Sequence, residues 1–381
     1  MKTSWKMSLP TLALAALGAC TASRDANGPR VPSFSRVGDD GSPGAVYVAT
    51  NATAANEVLV FPRAGDGTLG APSPFATGGK GSGGGLGNQG GVVLTQSRRW
   101  LLVVNAGSNE VSVFAVEPDG LELKDHTSSG GERPVSVTTF GGLVYVLNAG
   151  GVGNITGFRL SEHGRLRPLP RSTRPLSSPT AGAAQIAFSQ HGAVLVVTEK
   201  ATNTIDTYVV QDDGLTQGPQ PQPSVGQTPF GFAFSRRGAL VVSEAAGGPA
   251  GTSALSSYDV SERGKLAVVS PSVGTTQRAS CWVVITSDSR FAYTTNTGSA
   301  TISGYSVSPD GDLTLLAADG VSGTTGPGPI DMALSGGDRF LYTLNSGDGT
   351  ISAFRVNPDG GLAPQTGAAG LPAGANGLAA R

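Results

Sequence analysis

Phe291-Ala292-Tyr293-Thr294-Thr295-Asn296, then Thr301-Ile302-Ser303-Gly304-Tyr305, then Pro309-Asp310-Gly311: these three pieces decide the fold. The first two are short runs rich in aromatic and β-branched residues, which suit a pleated, half-buried surface. A short polar loop separates them. Pro-Asp-Gly is hairpin-turn chemistry, and Leu313 follows it to open another run.

The same unit recurs along the chain. An aromatic in the third run is followed six residues later by a turn glycine, as Phe61/Gly67, Phe114/Gly120, Phe158/Gly164, Tyr208/Gly214, Tyr258/Gly264, Tyr305/Gly311 and Phe354/Gly360. Seven copies at a period of roughly 49 residues, each with four apolar runs A to D, carry the signature of propeller blades. The first unit lacks a run A, and the chain ends on an extra one, Asn376-Gly377-Leu378-Ala379-Ala380. The last run is therefore expected to complete the first blade and close the ring, leaving no free inner edge. The fold expected is all-β, a seven-bladed propeller of four-stranded antiparallel blades over residues 44–381.

Composition agrees. Glycine supplies 57 of 381 residues and charged residues only 14%, against ~7% and ~25% in ordinary chains. That excludes a coiled coil, and the lack of a Gly-X-Y period excludes collagen. A net charge of −1 with 38% hydrophobic residues excludes a disordered polyelectrolyte. No basic stripe runs through the sequence, so nucleic acid is not an expected partner.

The first 43 residues read differently. Lys2 and Lys6 precede a short apolar core, Leu9 to Leu17, which ends in Leu17-Gly18-Ala19-Cys20. The pattern is that of an export signal over residues 1–19, resembling a bacterial lipobox in which Cys20 is lipidated. Residues 20–43 are polar and unpatterned, as a tether would be. The expected location is the bacterial envelope, with a lipid on Cys20 as the link to the membrane. The other cysteine, Cys281, then has no disulfide partner.

The repeat phrases resemble those of the lactonase-type seven-bladed propellers, the family of 6-phosphogluconolactonase and carboxymuconate cyclase. The resemblance covers residues 44–381. It implies a catalytic Glu after a run B, a position that Glu199 matches best, and a His, often with an Arg, early on the inner runs. Those inner positions here hold Val135, Ala184, Phe230, Cys281 and Ile330. The three histidines, His126, His163 and His191, sit at a rim or in turns, where they cannot converge on one substrate as acid–base work requires.

Strand order fixes two faces. Loops D–A and B–C share face one, and turns A–B and C–D share face two. Ligand sites favour mouths lined by converging loops, so face one is the expected mouth. Runs B end there in Thr50, Asn105, Asn148, Glu199, Glu244, Asn296 and Asn345. Glu199 and Glu244 are the acidic exceptions and the candidate catalytic pair. The alternative is that they cap loop amides or pair with an arginine. Arg133 and Arg278, just before inner runs on the same face, are suited to a ligand carboxylate. Asn88, Gln89, Gln185, Asp331 and Asn376 are the polar residues expected at the inner strands, with Gln185 and Asp331 as candidate ligand contacts. Asp331 with a glutamate has the oxygen chemistry for Ca²⁺, while hydrogen bonding to channel water is the simpler use. No cofactor is expected. Gly85-Leu86-Gly87-Asn88-Gln89-Gly90 spells a phosphate-loop pattern but leads into a strand rather than a helix, which removes the mechanism.

Two functions follow. The favoured one is a non-catalytic propeller that binds a small ligand or a protein partner at its channel mouth. The alternative is a lactone hydrolase using the mouth glutamates on an unphosphorylated substrate.

Overall fold

The computed structural model describes Met1 and residues 42–381 other than Gly248. The expected signal segment, Cys20 and nearly all of the tether lie outside the described residues. Seven antiparallel sheets succeed one another around an axis. Blade 2 is representative: Val92–Leu94 lies innermost, followed outward by Trp100–Asn105, Glu110–Glu117 and Gly120–Ser128. The inner strands of blades 3 to 7 are Pro134–Phe140, Ala183–Phe188, Pro229–Phe234, Ser280–Ile285 and Pro329–Leu334.

Blade 1 closes the ring as expected. Its innermost strand is Asn376–Ala380, which pairs Tyr47 with Ala379 and Val48 with Leu378 in Gly44–Ala49. Arg381 and Ala45 exchange backbone hydrogen bonds, and the Arg63 guanidinium holds the Arg381 carbonyl at 3.1 Å.

The core lies between blades. Val196 and Ile205 of blade 4, for example, pack against Leu240, Val242 and Tyr258 of blade 5. The turn glycine of the repeat takes part in this packing. All seven have φ between 77° and 144°, which side chains rarely adopt. A Cβ on Gly67 would also run into the Phe340 ring, and one on Gly360 into Phe291, both from the preceding blade.

In five of the seven, the carbonyl of that glycine is then captured by a hydroxyl of the preceding blade. Tyr145, Tyr293 and Tyr342 donate to Gly214, Gly360 and Gly67 at 2.8, 2.9 and 2.8 Å. Blades 4 and 5 have Val196 and Val241 where those tyrosines sit. Their cross-strand partners, Thr207 and Ser257, donate instead to Gly264 and Gly311, both at 2.7 Å.

A bulge interrupts most inner strands near face one, as between Ala183 and Gln185 or between Pro329 and Met332. Bulges re-aim side chains. Here they bring Gln185 and Asp331 to the wall of the axial channel.

Candidate functional site

The face-one mouth of the channel is filled by the protein itself. The glycine-rich segment between blades 1 and 2 crosses the axis at Leu86–Gln89, and several other blades meet on it. Asn88 donates its amide to the Val135 carbonyl of blade 3, and the Gln89 backbone donates to Ala184 of blade 4 at 3.1 Å. The Gln89 side chain accepts from the Val283 amide of blade 6 at 3.0 Å and donates to its carbonyl at 2.7 Å. The Trp282 indole donates to the Asn88 carbonyl at 2.7 Å. Gly231 of blade 5 leaves the space that Gln89 occupies, since a Cβ there would strike its side-chain oxygen. The phosphate-loop look-alike is thus a plug, and of its glycines Gly90 makes the close approach, to Ser136 of blade 3.

Glu199 and Glu244 end second strands on face one, as expected, but both are buried and used up by local donors. Glu199 accepts from the Ser177 amide at 3.0 Å, the Ser177 hydroxyl at 2.7 Å and the Thr202 hydroxyl at 2.7 Å. Glu244 accepts from the Gly226 amide at 2.9 Å, the Ser272 hydroxyl at 2.6 Å and the Ser256 hydroxyl. These are amides and hydroxyls, the capping alternative. Each glutamate sits in its own blade and is bound by its own set of donors.

Comparison with the other blades explains the substitution. Asn105, Asn296 and Asn345 donate to Ser112, Ser303 and Ser352 on the adjacent strand, at 2.7, 2.8 and 2.8 Å. In blade 5 the direction reverses, and Ser256 donates to Glu244. In blade 4 the serine position is Asp206, so two carboxyl groups face each other without a donor between them. They share the Ser177 amide, 3.0 Å from each. Burial first, then Glu199 beside it, pushes the Asp206 carboxyl well above the usual carboxylate range. Its Oδ1 has no protein partner. Asp206 therefore holds its proton to higher pH than an ordinary carboxyl group does.

The cations lie elsewhere on face one. Arg133 precedes the inner strand of blade 3 with its amide held by Asn109 at 2.7 Å, and Arg278 that of blade 6 with its amide held by Ser299 at 2.9 Å. Lys200, which follows Glu199, lies with its ammonium 4.9 Å from the centre of the Phe230 ring and donates to the Gly87 carbonyl of the plug. Burial, reinforced by the Arg133 charge, pushes Lys200 down to about 8. Cys281 is buried, and its thiol is pushed up to about 11, which makes it a poor nucleophile. His126, half exposed, lies 3.4 Å from Glu110, while His163 is almost fully exposed beside Glu162.

Below the plug the channel widens into a cavity of about 320 Å³. Gln89 and Gly90 form its floor. Its walls reach Leu94, Ala187, Ala333 and Ala380 near the ends of inner strands, so it opens on face two. Most of the lining is apolar, including Val93, Val137, Ile186, Met332 and Leu378. Two candidate ligand contacts, Gln185 and Asp331, meet here. Both also serve backbone amides on the inner edges. Gln185 brackets Phe232, accepting its N–H at 2.7 Å and donating to its carbonyl at 2.9 Å. Ser136 accepts from Ile186 at 3.2 Å. Asp331 accepts from Leu378 at 3.1 Å and from Met332 at 3.0 Å. No cation offsets Asp331, and burial pushes it up to about 8.

Asp331, Glu199 and Glu244 do not form a Ca²⁺ site. They lie apart, and their oxygens already accept N–H and O–H donors. Among the described residues no three His, Cys, Asp or Glu side chains group as a metal would need.

Sequence reading placed Asn88 and Gln89 at an inner strand, where the structure puts them in the plug. It missed Lys200 and Asp206. The signal for Asp206 was available: aligned on the repeat, its position holds Ser112, Thr156, Ser256, Ser303 and Ser352.

The family model described as "Lactonase, 7-bladed beta-propeller" matches residues 4–180, 152–247 and 251–375. Among solved structures, a candidate 6-phosphogluconolactonase of Bacteroides uniformis aligns at 18% identity and a TM-score of 0.68, covering 88% of this chain and 99% of that one. The periplasmic gluconolactonase of Pseudomonas aeruginosa aligns at 17% and 0.68, with coverage of 88% and 99%. Hydrazine synthase of Kuenenia stuttgartiensis aligns at 14% and 0.56, with coverage of 79% and 92%. At these identities the likeness is one of fold, and the names divide between two lactonases and a hydrazine synthase. Among curated proteins, no sequence matches this chain.

Proposed function

The chain belongs to the lactonase family of seven-bladed β-propellers, and on that footing we propose that it is a non-catalytic, ligand-binding member tied to the bacterial envelope through Cys20, with its ligand held in the channel cavity that opens on face two. The observation that carries this reading is the plug. Leu86–Gln89 occupies the face-one mouth, where the resemblance to lactonases places catalysis, and leaves the accessible volume at the other end. The carboxylates at face one support it as well. Glu199 and Glu244 are saturated by local donors, whereas a general base must reach the proton it abstracts.

Lactone hydrolysis is the second reading, favoured by membership of a family named for that reaction. An exported enzyme of this kind would take an unphosphorylated lactone, because sugar phosphates are cytosolic. One experiment separates the two. The full-length protein, solubilised in detergent, is assayed for hydrolysis of unphosphorylated aldonolactones and, in parallel, for binding by calorimetry. Saturable binding without turnover is expected. Turnover that Glu199→Gln and Glu244→Gln abolish in folded protein overturns the binding reading and places chemistry on face one.

A further inference from the structure

The cavity says something about what it holds. Its polar groups are few, and most are spoken for. Gln89 and Gln185 each use both ends of their amides on the backbone of a neighbouring strand. Thr138 accepts from the Phe188 amide at 3.3 Å. Asp331 differs, because each of its oxygens accepts one amide hydrogen bond and no side chain donates to it or carries a compensating charge. A buried carboxylate without a counter-ion is costly and takes up a proton instead. A protonated carboxyl is a donor. The wall of this apolar pocket thus offers an O–H with no protein acceptor assigned to it.

We infer that the face-two cavity binds an uncharged, largely apolar molecule, no larger than about ten water volumes, whose carbonyl or ether oxygen accepts a hydrogen bond from Asp331. The inference rests on the cavity being the ligand site. An anionic ligand is disfavoured, because its charge would be desolvated beside a carboxyl group. A strongly hydroxylated sugar is disfavoured too, because the walls at Val93, Val137, Ile186 and Leu378 would leave its hydroxyls unpaired.

Met332 makes the test direct. It lines the cavity, and the only other methionines in the sequence are Met1 and Met7. The full-length protein, labelled with ¹³C at its methionine methyls, is titrated with cyclohexanone and, separately, with cyclohexanecarboxylate. The ketone is expected to shift the Met332 signal saturably, and the carboxylate to bind at least about tenfold more weakly. Asp331→Asn keeps an N–H donor and should stay within about threefold of the parent. Asp331→Val removes the donor and should weaken ketone binding about three- to tenfold. Should Asp331→Val not fold, the infrared carbonyl band of bound ¹³C-cyclohexanone replaces it. The band lies at lower frequency than in hydrocarbon if the hydrogen bond exists, and Asp331→Asn moves it. Equal binding of ketone and carboxylate, an unweakened Val variant, or a carbonyl band unshifted from hydrocarbon overturns this inference and leaves the cavity as the ligand site. No Met332 response to either compound overturns both.

Discussion

Asp206 shows how much one residue changes in a repeat. In blades 2, 6 and 7 an asparagine donates to a serine, and in blade 5 a serine donates to a glutamate, so each of these pairs has a donor between its members. The Glu199–Asp206 pair needs a proton to do the same. Since the folded state holds that proton more tightly than the unfolded chain, the contribution is fully present below the ordinary carboxylate range. It is lost as pH rises through and above that range toward the raised folded value. Asp206→Ser, which restores the residue of blades 2, 5, 6 and 7, should therefore raise Tm by about 2–4 °C at pH 9 and do less at pH 5. Thermal denaturation followed by circular dichroism at both pH values checks this, and a larger gain at pH 5 contradicts it. Glu199 was legible as an exception at the end of a second strand. Its burial was not, because identity at a strand end does not say which way the side chain turns or which loop amide covers it.

At the scale of the strand, the interblade latch has two solutions. Where the second strand carries tyrosine, as at Tyr145 and Tyr293, its cross-strand neighbour is Gly157 or Gly304, small enough to lie beside the ring. Where it carries valine, the neighbour is Thr207 or Ser257 and supplies the hydroxyl itself. In blades 3 to 7 the carbonyl of the next turn glycine is paired in one of these two ways. Tyr342→Phe should cost about 1–2 kcal/mol, the price of one orphaned buried carbonyl, and Thr207→Val less, because the Gln222 amide also donates to the Gly264 carbonyl, at 2.8 Å. Combined, they should be additive to within about 0.5 kcal/mol, since the two latches share no partner. Urea denaturation of the two single variants and the double variant measures both statements. The strands and their turns were readable because the same steric demand, a glycine six residues after an aromatic, repeats seven times. The plug was not, because Leu86–Gln89 belongs to no repeat and its partners lie in blades 3, 4 and 6, far along the chain.

At the scale of the whole molecule, number of blades, strand order and closure all followed from period and leftover strand, which are global properties of the chain. The location of the open volume did not follow, since the strand order is the same whichever mouth is blocked. The membrane link is also a whole-molecule property. Cys20→Ser should move the protein from the membrane fraction to the soluble fraction on ultracentrifugation of cells, without altering its Tm. Unchanged membrane association of the variant counts against lipidation. Ring closure carries one more consequence. Gly44–Ala49 and Asn376–Ala380 are neighbours in one sheet, and Ala45 and Arg381 are directly bonded. The two ends of the propeller could thus be spliced and the chain reopened at an exposed loop, such as the one around Gly251, without moving a strand. The order in which ribosomes make the blades is then a historical convention: the circle has no first blade, and its thermodynamics should not depend on where the thread was cut.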